Sequence, residues 1–122
     1  MVLLDQVLSH DTQRIHCSTV SHLKPDNPLR LNDKLPAVCG AEYGAQAAAV
    51  HGALTSPQPL PPGQVVLLRQ MTWSRPFLDE IGTALDIEAE RLHQDARNLA
   101  YGFVLRAEDQ EILRGECGII LS

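Results

Sequence analysis

Residues 37–54 read Ala-Val-Cys-Gly-Ala-Glu-Tyr-Gly-Ala-Gln-Ala-Ala-Ala-Val-His-Gly-Ala-Leu. Ten of these 18 residues are Ala or Gly and Glu42 is the only charged one, so no polar face is on offer to water. Alanine favours helix and Pro36 suits a first turn, which predicts a helix about 27 Å long at ~1.5 Å per residue. A surface helix carries charge along one side. This one is expected to be covered closely by something else. Glu42, Gln46 and His51 make it a poor membrane span.

Working outward, Arg14 to Val20 places Ile15, Cys17 and Thr19 on one side of a strand. Lys24-Pro-Asp-Asn-Pro28 is a turn, because each proline fixes φ and keeps the preceding residue out of helix. Beyond the helix, Thr55 to Gly63 is a proline-rich loop, and the period then changes to two. Strands are predicted over Val65–Trp73, Thr83–Leu92, Asn98–Ala107 and Ile112–Leu121, the last two joined as a hairpin through Glu108-Asp-Gln110. Long antiparallel strands twist and curl, and one apolar helix fits the hollow of that curl. The expected architecture is α+β, a single hotdog domain over residues 1–122. Its open sheet edge beside the helix would be covered by dimerisation.

Composition narrows the function. A chain of 122 residues is one domain. Its net charge of −5, without a basic cluster, argues against nucleic acid, and 4% aromatics against a stacking surface. Cys17, Cys39 and Cys117 lack metal-type spacing and read as reduced thiols, and the N-terminus does not read as a signal peptide. A cytoplasmic protein with no metal, no cofactor and no membrane or nucleic-acid partner is expected.

Glu42 leads the candidates for chemistry. A carboxylate on an otherwise uncharged helix is poorly solvated and suits a general acid or base; the alternative is a solvent-exposed glutamate favoured by the helix dipole. The N–H groups of Val38, Cys39 and Gly40, at the helix start, are candidates to polarise a thioester carbonyl. Gln46, one turn on, would orient the carboxylate or bind backbone. Tyr43 reads as packing. His51 lies about 180° round the helix from Glu42 and cannot share its site. His22 is a candidate proton carrier, and Cys39 reads as a buried thiol before a nucleophile.

Pro36-Ala-Val-Cys-Gly-Ala-Glu-Tyr-Gly-Ala-Gln-Ala47 resembles the central-helix motif of hotdog 3-hydroxyacyl-acyl-carrier-protein dehydratases, in which Pro-Gly-Val precedes Glu-x-x-x-Gln-Ala. Leu3-Leu-Asp-Gln-Val-Leu8 and Asp26-Asn-Pro28 are similar to the family's opening segment and its Asn-Glu-Pro turn. The short aryl polyene biosynthesis subgroup resembles the chain most, including Leu67-Leu68 to Trp73. The resemblance implies dehydration of a 3-hydroxyacyl group carried on phosphopantetheine. A histidine would remove the α-proton, Glu42 would protonate the leaving hydroxyl, Ala37 or Val38 N–H would hold the thioester oxygen, and Gln46 would support.

The family's histidine, in a His-Phe-Pro-Gly turn, has no counterpart. The interval Leu29-Arg-Leu-Asn-Asp-Lys-Leu35 is shorter and contains no histidine. Three explanations stay open: a second hotdog chain supplies the base, His22 serves, or the chain is a non-catalytic acyl-binding partner. A hotdog thioesterase, in which the helix carboxylate activates water or attacks the thioester, needs no histidine and is the rival activity. An acidic acyl-carrier protein would meet basic residues near the helix entrance, with Arg30, Lys34, Arg69 and Arg75 as candidates.

Overall fold

A computed structural model describes residues 2–121. Six strands form one sheet: β1 (Gln6–His10), β2 (Arg14–Thr19), β3 (Gly63–Trp73), β4 (Leu85–Gln94), β5 (Asn98–Ala107) and β6 (Gln110–Leu121). Their spatial order is β1-β2-β4-β5-β6-β3, with every neighbouring pair antiparallel. A single helix, α1 (Gly40–Thr55), is entered through a 3-10 turn at Ala37–Cys39. This is the hotdog arrangement.

Alternation decides which sheet face meets the helix. Ile15, Cys17 and Thr19 of β2, Leu85, Ile87 and Ala89 of β4, and Leu99, Tyr101, Phe103 and Leu105 of β5 are all buried. The residues between them carry the charges: Glu88 pairs with Arg106 and Glu90 with Arg14 on the opposite face. The β5–β6 hairpin turns at Glu108 and Asp109, with φ of 52° and 63°. Positive φ at both central residues is what a two-residue turn needs to match strand twist. β1 is exposed on both faces and shows no alternation that would mark its limits in the sequence.

The helix lies close to the sheet because its small residues permit it. A Cβ at Gly44 would come within 2.4 Å of the Phe103 ring, so only glycine fits there. Gly40, Ala41, Tyr43, Gly44, Ala47, Ala48, His51 and Gly52 face the sheet and are buried. The opposite face is open. Glu42, Ala49, Ala53 and Leu54 are exposed there, and Val38 precedes them at the entrance. The expectation of a helix covered on most sides is therefore corrected: one sheet covers one side, and on the other side Glu42, Ala49, Ala53 and Leu54 stay exposed beside the N-terminal segment.

β3 shows the same incompleteness. It is paired on one side only, with β6, and Val65, Val66, Leu67 and Leu68 are each 41–52% exposed. An edge strand with four consecutive half-exposed apolar residues is a pairing surface.

Candidate active site

Glu42 stands in the first turn of α1 and is exposed. Among the described residues no hydrogen bond or ion pair holds its carboxylate. The residues three and four positions away, Val38, Cys39, Ala45 and Gln46, carry no charge. Burial of this carboxylate thus requires a second surface laid over the open helix face.

The helix entrance offers fewer free amides than its sequence suggests. Ala37 N–H donates to the Pro76 carbonyl at 2.9 Å, and Cys39 N–H to the Pro36 carbonyl at 3.0 Å. Gly40 N–H is spent on the Ala37 and Val38 carbonyls. Three of the four candidate carbonyl-binding amides are committed inside the chain. Val38, itself half exposed, is the one that remains.

His22 is corrected as a proton carrier. It is fully buried, and its Nε2 hydrogen-bonds the Ile81 carbonyl at 2.9 Å. Desolvation pushes its pKa down, so the ring is neutral and sealed from any substrate at the surface. Cys39 is half-buried, and burial, with a contribution from Glu42, raises its pKa. It stays a thiol. Gln46 accepts a hydrogen bond from Leu3 N–H through Oε1 at 2.9 Å. Its observed task is to hold the N-terminal segment of its own chain.

The nominated cations separate into two groups. Arg30 donates to three backbone carbonyls, Lys24 (3.0 Å), Asp33 (2.8 Å) and His22 (3.1 Å). It braces its loop with three of its five N–H groups, so its guanidinium is held on its own chain. Arg69 pairs with Glu116 at 2.9 Å across β3 and β6. Lys34 lies over the Phe77 ring, 4.7 Å from its centroid, and Arg75 is exposed. The Pro36–Phe77 bridge and the Ala37–Pro76 hydrogen bond bring the segments carrying Lys34 and Arg75 together at the helix entrance.

The interval that lacks histidine forms a small hairpin. Leu31 and Lys34 exchange two backbone hydrogen bonds, of 2.7 and 3.0 Å, around Asn32 and Asp33 with φ of 51° and 65°. Its ionisable side chains are Arg30, Asp33 and Lys34. Two surface cavities bear on the site. One of about 430 Å³ lies along the open helix face, between Val2, Leu4 and Val7 of the N-terminal segment and Gln46, Ala49 and Val50 of α1. The other, of about 620 Å³, lies over the charged outer face of the sheet, near Glu88, Arg106 and Glu116. Glu42 lines neither. No grouping of His, Cys, Asp or Glu that could hold a metal ion occurs among the described residues, and none of their helices is long and apolar enough to cross a membrane.

A family model described as ApeP-like, ApeP dehydratase, matches residues 1–120. The chain belongs to the ApeP-like dehydratase family. No curated protein matches it. Among solved structures, the ApeI:P dehydratase heterocomplex from Xenorhabdus doucetiae superposes with a TM-score of 0.87 at 21% identity, covering 99% of this chain and 83% of that one. Zebra fish thioesterase superfamily member 2 gives 0.69 at 18%, covering 96% and 81%. AziG from S. sahachiroi gives 0.69 at 14%, covering 95% and 89%. At these identities the likeness is one of fold. Read as an ApeP-like dehydratase, the chain carries a helix carboxylate and one free entrance amide on an uncovered face.

Sequence reasoning missed a second polar centre. His51, fully buried, hydrogen-bonds Tyr101 Oη through Nδ1 (2.6 Å) and the Asp11 carbonyl through Nε2 (2.8 Å). Arg91 joins from β4, bonded to Tyr101 and Thr55. These partners lie up to 50 residues away in sequence, so no local pattern announces them.

Proposed function

We propose that this chain is the acid-bearing half of a heteromeric 3-hydroxyacyl thioester dehydratase, completed by a second hotdog chain. The observation that carries this reading is the exposed, unpartnered Glu42 on an otherwise uncharged helix face. Among the described residues no group of the chain's own fold pairs with a carboxylate there. Family membership supports dehydration, and the heterocomplex of the Xenorhabdus structure supports a hotdog partner.

In this reading the partner lays its surface over the open helix face and the β3 edge, and brings the missing histidine. That histidine takes the proton from C2 of the substrate. Glu42 gives its proton to the hydroxyl leaving C3, water departs, and the C2–C3 double bond of the enoyl product remains. Covering Glu42 removes it from bulk water and closes it over the substrate. The Val38 N–H is placed to polarise the thioester oxygen. The substrate arrives on the phosphopantetheine arm of an acidic carrier protein, which Lys34 and Arg75 flank at the helix entrance. No cofactor takes part.

Thioesterase action by the same carboxylate is the second reading, favoured by the lack of any histidine beside Glu42 and by thioesterase folds among the structural neighbours. One experiment separates them. The purified chain is given 3-hydroxyacyl and acyl thioesters, alone and after co-expression with a histidine-bearing hotdog chain. Enoyl product only from the pair supports our reading. Free thiol from the chain alone supports hydrolysis, and neither product from the pair leaves an acyl-binding subunit and refutes both.

A further inference from the structure

Among the described residues the Glu42 carboxylate has no side-chain partner, so its place is set by the α1 backbone that carries it. Two hydrogen-bonded arms fix that backbone, and both end on Leu3. The first is direct: Leu3 N–H donates to Gln46 Oε1 at 2.9 Å. The second starts at Tyr43, the residue next to Glu42. The Leu3 carbonyl accepts from Thr19 Oγ1 (2.5 Å) and from Ser21 Oγ (2.6 Å). With the Ser21 proton spent there, the 3.0 Å contact between Ser21 Oγ and Tyr43 Oη has the phenol as donor. The phenol oxygen in turn accepts from Asn27 Nδ2 at 3.1 Å. Asn27 is fixed by donating to the Ser21 carbonyl at 2.9 Å and accepting from Leu29 N–H at 2.9 Å.

The Tyr43 arm of this ring is sequestered, with Tyr43 0% exposed, Leu3 1%, Ser21 6% and Asn27 7%, while Gln46 is half-buried. In such surroundings an orphaned donor or acceptor is costly, so the ring holds one arrangement. Tyr43 and Gln46 are three residues apart, on one side of the helix. Anchors at two such points fix both the rotation of the helix about its axis and its sliding along it.

We propose that Tyr43, acting with Ser21, Asn27 and Leu3, is a positioning residue that aims Glu42, with Gln46 as the second anchor of the same device. This rests on the reading of Glu42 as the acid. The N-terminal segment becomes a strap over the helix, and it also forms one wall of the 430 Å³ cavity beside Gln46.

The test uses the assembled enzyme with a 3-hydroxyacyl thioester, comparing Tyr43→Phe, Gln46→Met and the double variant. Each single variant is expected to lower kcat about tenfold, with KM held within about twofold. The double variant is expected to lose little more than either single one, because both arms converge on Leu3. The Leu3 amide exchanges faster with deuterium in each. Full kcat in Tyr43→Phe, additive losses, or losses confined to KM overturn the proposal. Should Tyr43→Phe fail to fold, Asn27→Ala removes one bond to the same phenol and is judged alike. Wild-type enzyme without dehydration refutes the functional reading instead; unchanged Leu3 exchange in the variants then refutes the ring by itself.

Discussion

The Phe103 ring of β5 occupies the space where Gly44 of α1 would carry a side chain, within 2.4 Å of a Cβ built there. This contact sets how deep the helix sits. Gly44→Ala forces the ring off its rotamer or the helix off the sheet, and we expect about 1–3 kcal/mol of destabilisation. A urea midpoint measures it. Gly102, where a Cβ meets only Leu92 at 3.7 Å, is the control: Gly102→Ala leaves the midpoint nearly unchanged.

Glu42→Gln abolishes the acid. Turnover of the assembled enzyme is expected to fall by about 10²-fold or more, with binding of the substrate little altered. The thermal midpoint of the chain stays where it was, because the exposed carboxylate has no partner to lose. Retained turnover refutes the site.

Acid weakens the fold through its two buried histidines. Burial lowers the pKa of both His22 and His51 below the ordinary 6.5. The unfolded chain then binds more protons than the folded one, so stability is full above pH ~6.5 and declines as pH falls below it. His51 faces Arg91 of β4, Tyr101 of β5, His10 of β1 and Asp11 of the β1–β2 turn, so a proton on Nδ1 would point at a guanidinium. Denaturant midpoints between pH 7.5 and 4.5 check the slope. His51→Gln, which keeps a donor and an acceptor but does not titrate, flattens it.

The cations should separate by experiment as they do in space. Lys34→Ala with Arg75→Ala is expected to raise KM roughly fivefold for a carrier-bound thioester, less at high salt, and to leave a small free thioester unaffected. Arg30→Ala removes three bonds to loop carbonyls; it lowers the melting temperature without a selective effect on the carrier-bound substrate.

The β3 edge should govern assembly. Val66→Lys with Leu68→Lys places charge on two half-exposed positions, which the single chain tolerates. Circular dichroism is expected to be unchanged while sedimentation shows loss of the partner. Assembly that survives refutes β3 as the pairing edge.

Local chemistry made much of this protein legible in one dimension. The Ala/Gly run with a single charge, the alternation of Leu85, Ile87 and Ala89 against Asp86, Glu88 and Glu90, and the Glu108-Asp109 turn each specify their element through steric and burial preferences acting over a few residues. The identity of Glu42 as the one helix charge was legible for the same reason. What only the tertiary structure decided depends on groups far apart in sequence. It spent the Ala37 amide on Pro76, folded Arg30 onto its own loop, sealed His22 behind Ile81 and tied Gln46 to Leu3. A side chain's sequence neighbourhood tells whether it can donate, accept or ionise; whether that capacity is already satisfied depends on which distant backbone groups the fold brings within 3 Å. The same reason explains the open helix face: small apolar residues announce a close approach, and only the packed sheet shows that one side of the helix still awaits it.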